Sequence, residues 1–196
     1  MRILIAVAAY LFGSIPTGYL FVRLTARNDI RQLGSRSMGA TNVLRVKGWK
    51  SALPVAVIDV LKGFLPAFFA LKYSGDLVFA ACCALLSVVG HCFPFSIGFK
   101  GGKGVATSLG AYAVIALLPL LACLGLFLIV VAVGRYVSLG SLVGSLAFPF
   151  IVLLSGGPQG VFLVSLAIAL LIVFQHRGNI GRLIKGTERK LGDESL

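Results

Sequence analysis

Apolar residues run along this chain in blocks of about 17 to 25, the length a helix needs to cross a bilayer core about 30 Å thick. Polar residues fall into the gaps between the blocks. The first block covers 3–23, the second 53–71 and the third 77–93. The stretch 105–133 is long for one helix and short for two, and Pro119 stands at its middle, where a helix interior would lose a hydrogen bond or kink. Apolar sequence resumes over 137–154, breaks at Ser155-Gly156-Gly157-Pro158 and closes over 160–175. With the turn placed at Pro119, the pattern predicts an all-α integral membrane protein of seven transmembrane helices. No repeat and no linker divides it, so residues 1–196 are read as a single domain.

Charge supports that count. Seven spans gather the basic residues of 23–50, Lys100, Lys103, Arg135 and those of 177–190 on one side, leaving Arg2 and Lys72 opposite and Lys62 inside the second span. A single span over 105–133 would send Arg135 and the basic tail across, against the positive-inside bias. The expected topology therefore has the N-terminus outside and the C-terminus on the cytoplasmic side. The start, with one charged residue at Arg2 and an apolar run that continues through Tyr19-Leu20-Phe21-Val22, reads as an uncleaved span rather than a signal peptide.

Composition narrows the class. With 58% apolar and 12% charged residues, and a mean hydropathy of +1.00, an ordinary soluble domain is excluded. Lys and Arg number 18 against 6 Asp and Glu, a formal charge of +12. Nucleic acid is a poor partner, because the aromatics lie in apolar runs and offer no stacking platform among the basic residues. An anionic lipid surface and phosphorylated small substrates fit better. The four cysteines have no ligand or disulfide spacing and read as core, and two histidines with few carboxylates argue against a metal site or other cofactor.

The candidate chemistry lies on the cytoplasmic side. Lys103, among the glycines of "FKGGKGVAT" (99–107), suits an anion clamp at a helix start, although Gly104 stands where a nucleotide-binding P-loop has Ser or Thr. The segment 33–45, "LGSRSMGATNVLR", carries hydroxyls, an amide and guanidinium groups at Ser35, Thr41, Asn42 and Arg45, which suit a phosphate or a polyol. Asp59 and Lys62 are three apart on one helical face inside an apolar span, so a mutual, structural ion pair is expected. His91 and His176 each end an apolar run and read as interfacial hydrogen-bonding residues. His176 is the stronger candidate for chemistry, with Asn179 at i+3 and Arg177 and Arg182 close by. No carboxylate stands out as a general base; Asp193 and Glu194 lie in the polar tail with Glu188. The pattern favours a reaction that needs positioning and anion stabilisation, such as transfer from a donor with a good leaving group.

Taken together, "SIPTGY", "LGSRSMGATNVLR", "DVLKG", "GHCFPFSIGFKGGKGVAT", "SLGS" and "HRGNIGRLIKGTE" closely resemble, in order and spacing, the acylphosphate-dependent glycerol-3-phosphate acyltransferases of the PlsY family, over residues 13–190. The resemblance implies a seven-helix enzyme of the bacterial inner membrane, its N-terminus periplasmic, that moves a fatty acyl group from acyl phosphate to the 1-hydroxyl of sn-glycerol 3-phosphate, giving lysophosphatidate and phosphate. By position, Ser35, Arg45, Lys103, His176 and Asn179 match residues that bind glycerol phosphate or support transfer. Gly101, Gly102, Gly104 and Val105 match the acyl-phosphate loop, Ser141 the third polar segment, and Glu188 an acidic position that holds the tail. The resemblance implies that a donor phosphate oxygen takes the hydroxyl proton; His176 as general base is the alternative. Acyl-thioester-dependent relatives carry an H-x-x-x-x-D pattern, absent after His91 and His176. The expected partners are acyl phosphate, glycerol 3-phosphate and membrane lipid, and a monomer is compatible with all of them. A transporter for a phosphorylated anion and a lipid-binding scaffold without chemistry are the competing readings.

Overall fold

The computed structural model describes residues 1–193, which form ten α-helices joined by short loops and two 3₁₀ turns. The first apolar block is α1 (Arg2–Gly13) and α2 (Thr17–Ala26). A short α3 (Ala40–Lys47) precedes α4 (Trp49–Ser74) and α5 (Leu77–Cys92). Then come α6 (Val105–Ile115), α7 (Leu117–Gly134), α8 (Val137–Leu154), α9 (Gln159–Gln175) and α10 (Arg177–Ile184). Five stretches are long and apolar enough to cross a membrane: Arg2–Ala26, Trp49–Ser74, Leu77–Ile97, Leu117–Gly134 and Val137–Leu154. The α9–α10 pair, bent by 60°, makes a sixth. At 11 residues, α6 is about 16 Å long, half of the hydrocarbon thickness.

Two sequence boundaries are corrected. The turn in the 105–133 block falls at Ala116, not at Pro119. Pro119 sits in the first turn of α7, where its missing N–H removes no helical hydrogen bond. The first block is broken at Ser14-Ile15-Pro16, because Pro16 cannot continue α1 and instead precedes α2. That break frees the Ile15 carbonyl, which accepts from the Lys62 ammonium at 2.7 Å.

Backbone groups freed inside the apolar layer find partners from neighbouring helices, as a low-dielectric surrounding demands. Pro66 removes the donor that the Lys62 carbonyl would otherwise have within α4, and the Ser87 hydroxyl of α5 donates to that carbonyl instead. Small residues let backbones approach closely. A side chain at Gly63 would fall on the Thr107 carbonyl of α6, and one at Gly110 on the Val60 carbonyl of α4. The crossing of α4 with α6 is thereby fixed, and with it the start of α6, beside which the polar segments gather.

Candidate active site

The glycine loop leaves α5 through left-handed Gly98 (φ 71°) and Phe99 (φ 59°) and is laced back to the helix it came from. The Gly101 amide donates to the Cys92 carbonyl and the Gly102 amide to the His91 carbonyl, each at 3.0 Å. Gln175 of α9 donates to the Gly102 carbonyl at 3.0 Å from the other side. Gly101 and Gly102, expected to offer their amides to substrate, thus have them occupied, and their part is to shape the loop. Gly104 (φ 86°) then turns the chain into α6. Its first-turn amides, from Val105 onward, have no helical partners and present the positive end of the helix dipole. The cationic groups that this loop leaves facing the cavity are therefore the Lys103 ammonium and that helix start.

Lys103 is held by a chain of hydrogen bonds. Its ammonium donates to Asn179 Oδ1 at 2.6 Å, and Asn179 Nδ2 donates to Glu188 Oε1 at 2.5 Å. Glu188 also accepts from the Ser138 hydroxyl and from Arg182 Nε, each at 2.7 Å. Asn179 can make both bonds because α9 ends at His176 and α10 sets off at a 60° bend. Burial pushes the Glu188 carboxyl up, and the bonds from Asn179, Ser138 and Arg182 outweigh it, leaving Glu188 below the usual range. Burial pulls Lys103 down to about 8; Glu188 opposes the shift, and Arg182 and Arg45 add to it. His176 is 2% exposed, and its Nδ1–H donates to the Ile172 carbonyl at 2.8 Å. A carbonyl can only accept, so the neutral ring keeps Nε2 as a bare acceptor.

Around these groups lies a cavity of about 330 Å³ lined by Ser35, Thr41, Asn42, Arg45, Lys103, Gly104, Val105, Ser141, His176, Asn179 and Glu188. An outer cavity of about 590 Å³ shares Ser35, Lys103 and Asn179 with it and adds Gly101, Gly102, Arg36 and Lys100. Ser35, Arg45, Lys103, His176 and Asn179 come together at this end of the bundle with the glycine loop, but not every residue singled out in the sequence faces a ligand. Asn42 is fully engaged in shaping the 30–37 loop: its Oδ1 accepts from the Ser35 amide at 2.7 Å, and its Nδ2 donates to the carbonyls of Ser37 (2.7 Å) and Leu33 (3.0 Å). The reading of Asn42 as a substrate contact is corrected accordingly, since no polar atom of its side chain is left over. The Ser141 hydroxyl donates back to the Val137 carbonyl at 2.9 Å and keeps its lone pairs for the cavity.

The expected ion pair is present and has a third member that the sequence did not reveal. The Lys62 ammonium, fully buried, lies 2.7 Å from Asp59 Oδ1 and 3.2 Å from His91 Nδ1, besides its bond to Ile15. An ammonium has donors and no acceptor, so His91 Nδ1 is the acceptor of their bond, while Asp59 Oδ1, which has no hydrogen-bond partner, meets the ammonium as its counter-ion. Asp59 and His91 both line the inner cavity. The signal available in the sequence was a histidine ending a span opposite an intramembrane lysine, but only the packing of α4 on α5 joins them. His91 Nε2 occupies the place where a side chain at Gly102 would sit. Gly102→Ala is therefore expected to push the loop off the buried His91 ring, raising KM for phosphate-bearing substrates about tenfold and lowering the thermal midpoint; steady-state kinetics and a melting curve check it.

This convergence of fixed cations, a helix start and a half-length helix at one end of a membrane bundle has close counterparts. The glycerol-3-phosphate acyltransferase family model matches residues 3–186. The chain belongs to that family. A glycerol-3-phosphate acyltransferase of Thermoanaerobacter sp. (strain X514) is 42% identical over 193 residues, covering 98% of this chain and 97% of the relative. One of Clostridioides difficile (strain 630) is 43% identical over 197 residues, covering 98% and 96%. The crystal structure of PlsY (YgiH), an integral membrane glycerol 3-phosphate acyltransferase, in its glycerol 3-phosphate form superposes with a TM-score of 0.94 at 38% identity, covering 97% of this chain and 96% of that one. Its lysophosphatidic acid form gives 0.90 at 37% identity, covering 97% and 95%. The family resemblance stated from motifs is thus shown, and the fold is that of an all-helical integral membrane protein.

Proposed function

We propose that this protein transfers a fatty acyl group from acyl phosphate to the 1-hydroxyl of glycerol 3-phosphate, giving lysophosphatidate and inorganic phosphate. The observation that carries the reading is Lys103, half-buried with Arg45 and the start of α6 in a cavity that also holds His176 and Asn179. Such a site neutralises two phosphate-bearing reactants while excluding bulk water. In this reading α6, short as it is, counts as a seventh span, the N-terminus is periplasmic, and the site faces the cytoplasm at the inner membrane. The basic loops on the site's side support that topology.

Arg45 and Lys103 take phosphate oxygens, and Asn179, fixed by Glu188, orients Lys103. The glycerol hydroxyl attacks the acyl carbonyl carbon, the C–O bond to phosphate breaks, and phosphate leaves carrying the hydroxyl proton. The carboxylates within reach support this assignment of the proton: Asp59 is paired with Lys62, and Glu188 already accepts three hydrogen bonds. The bare Nε2 of His176 favours a second reading, in which His176 takes the proton. His176→Gln separates them. A kcat loss of about tenfold or less fits the donor phosphate as acceptor; a loss of about 10²–10⁴-fold assigns the proton to His176.

Purified protein given acyl phosphate and glycerol 3-phosphate should release phosphate only when both are present. No release above background would leave transport or scaffolding as the function. The lysine adds a pH signature. Anion binding needs the protonated ammonium, and the free protein holds Lys103 at about 8. Hence kcat/KM, which reports the free enzyme, is expected to fall about tenfold per pH unit above that value. Lys103→Arg should move the fall out of the accessible range.

A further inference from the structure

An apolar groove of about 110 Å³ runs between α6, α7 and α8, beginning at the polar cavity. Val105, Leu109, Phe127 and Ser141 line both, so the two are continuous. Three helices measure its length independently. Along α6 it extends from Val105 to Tyr112, along α7 from Phe127 back to Leu120, and along α8 from Ser141 to Phe148. Each pair is two helical turns apart, about 10 Å. Gly140, Gly144 and Ser145 keep the α8 wall low.

The far end is closed by two stacked aromatic rings. Tyr112 and Phe148 lie 3.5 Å apart between centroids, with planes 9° from parallel. Both are buried, at 4% and 1% exposure, and neither touches the polar site. Outside the groove α7 is bare, with Leu128 and Ile129 each 63% exposed to what is lipid in a membrane. An extended alkyl chain advances about 1.2 Å per bond, as an extended backbone does over its three bonds per residue. About eight carbons therefore fill the groove before they meet the rings.

Resting on the acyl-transfer reading above, we propose that the Tyr112–Phe148 stack is a specificity-determining floor that measures the first eight or so carbons of the fatty chain and turns the remainder out toward lipid. Carbons above the floor exchange fluid lipid for close-packed groove walls and contribute to recognition through those contacts. Carbons beyond it lie in hydrocarbon in the free and bound donor alike, and contribute nothing.

The test is a series of acyl phosphates with 4 to 16 carbons, presented in mixed micelles to the wild type, Phe148→Ala, Phe148→Leu and Ser145→Leu. For the wild type, kcat/KM should rise with each methylene to about eight carbons and then level off. Phe148→Ala should move the break to longer chains by about two to four carbons. Phe148→Leu should move it less, and carries this arm if the alanine variant does not fold. Ser145→Leu, which fills the groove, should move the break to shorter chains. Partition into micelles is common to all four proteins, so a shifted break belongs to the groove. A wild-type slope that runs unbroken to 16 carbons, or one break shared by all folded variants, would overturn the floor while leaving acyl transfer intact. No transfer from any acyl phosphate in the wild type would overturn both.

Discussion

Lys103→Ala is expected to lower kcat/KM for acyl transfer by at least about 10³-fold while leaving the protein folded. The ammonium has no carboxylate of its own: it donates to a neutral amide, Asn179, at 2.6 Å, and its charge is left for the substrate. Burial makes that charge count, because a cation partly removed from water interacts more strongly with a phosphate than a solvated one does. Alanine removes it and strands Asn179 Oδ1. The fold should be indifferent, since the loop is tied down by the amides of Gly101 and Gly102 and by Gln175, none of which uses the lysine side chain. Lys103→Arg keeps the charge but replaces a point ammonium by a larger planar fork, so a loss of about 10²-fold is expected. Phosphate release measured beside a thermal melt checks all of this. Full activity in the alanine variant would remove the anion clamp from the account.

Glu188→Ala is expected to have the largest effect on stability, about 2–3 kcal/mol, read as a fall of about 5–10 °C in thermal midpoint. The carboxylate is 8% exposed and joins three elements: Ser138 opens α8, Asn179 and Arg182 belong to α10, and Glu188 itself is in the tail. Removing it leaves the Arg182 guanidinium and the Asn179 amide without their acceptor and lets Asn179 turn away from Lys103, so activity should fall with stability. Glu188→Gln, which keeps an acceptor oxygen but loses the charge, should recover part of the midpoint. The pH dependence has a definite sign. The folded pKa is depressed below the ordinary value of 4.5, so this stabilisation is present above that value and is lost as pH falls through the lower, folded one. Acid lability in the wild type should therefore be absent from Glu188→Gln.

The residues gathered at the site were legible to different degrees. Lys103, Ser35, Arg45, His176 and Asn179 could be singled out because each breaks the apolar pattern with a group that binds anions or moves protons. Asp59 and Lys62 declared themselves by their cost in hydrocarbon. His91 did not, since a histidine at the end of a span has many ordinary explanations. Its part depends on Asp59 and Lys62 meeting it from α4. Asn42 and the amides of Gly101 and Gly102 were read as ligand contacts because residue type and motif cannot tell a free hydrogen-bonding group from one already engaged.

The sequence alone determined that this chain is a membrane-embedded bundle of helices with its positive charge on one face, because apolar run length and charge asymmetry are local properties that any fold of the chain must respect. It also determined the chemistry on offer, and through the order of its motifs, the family. Only the tertiary structure decided which of those groups are free. Close helix crossings at Gly63 and Gly110 fix the start of α6 against α4. The α9–α10 bend brings Asn179 onto Lys103, and two aromatic rings from separate helices close the groove. Those outcomes come from contacts between residues far apart in the chain, which no local pattern encodes.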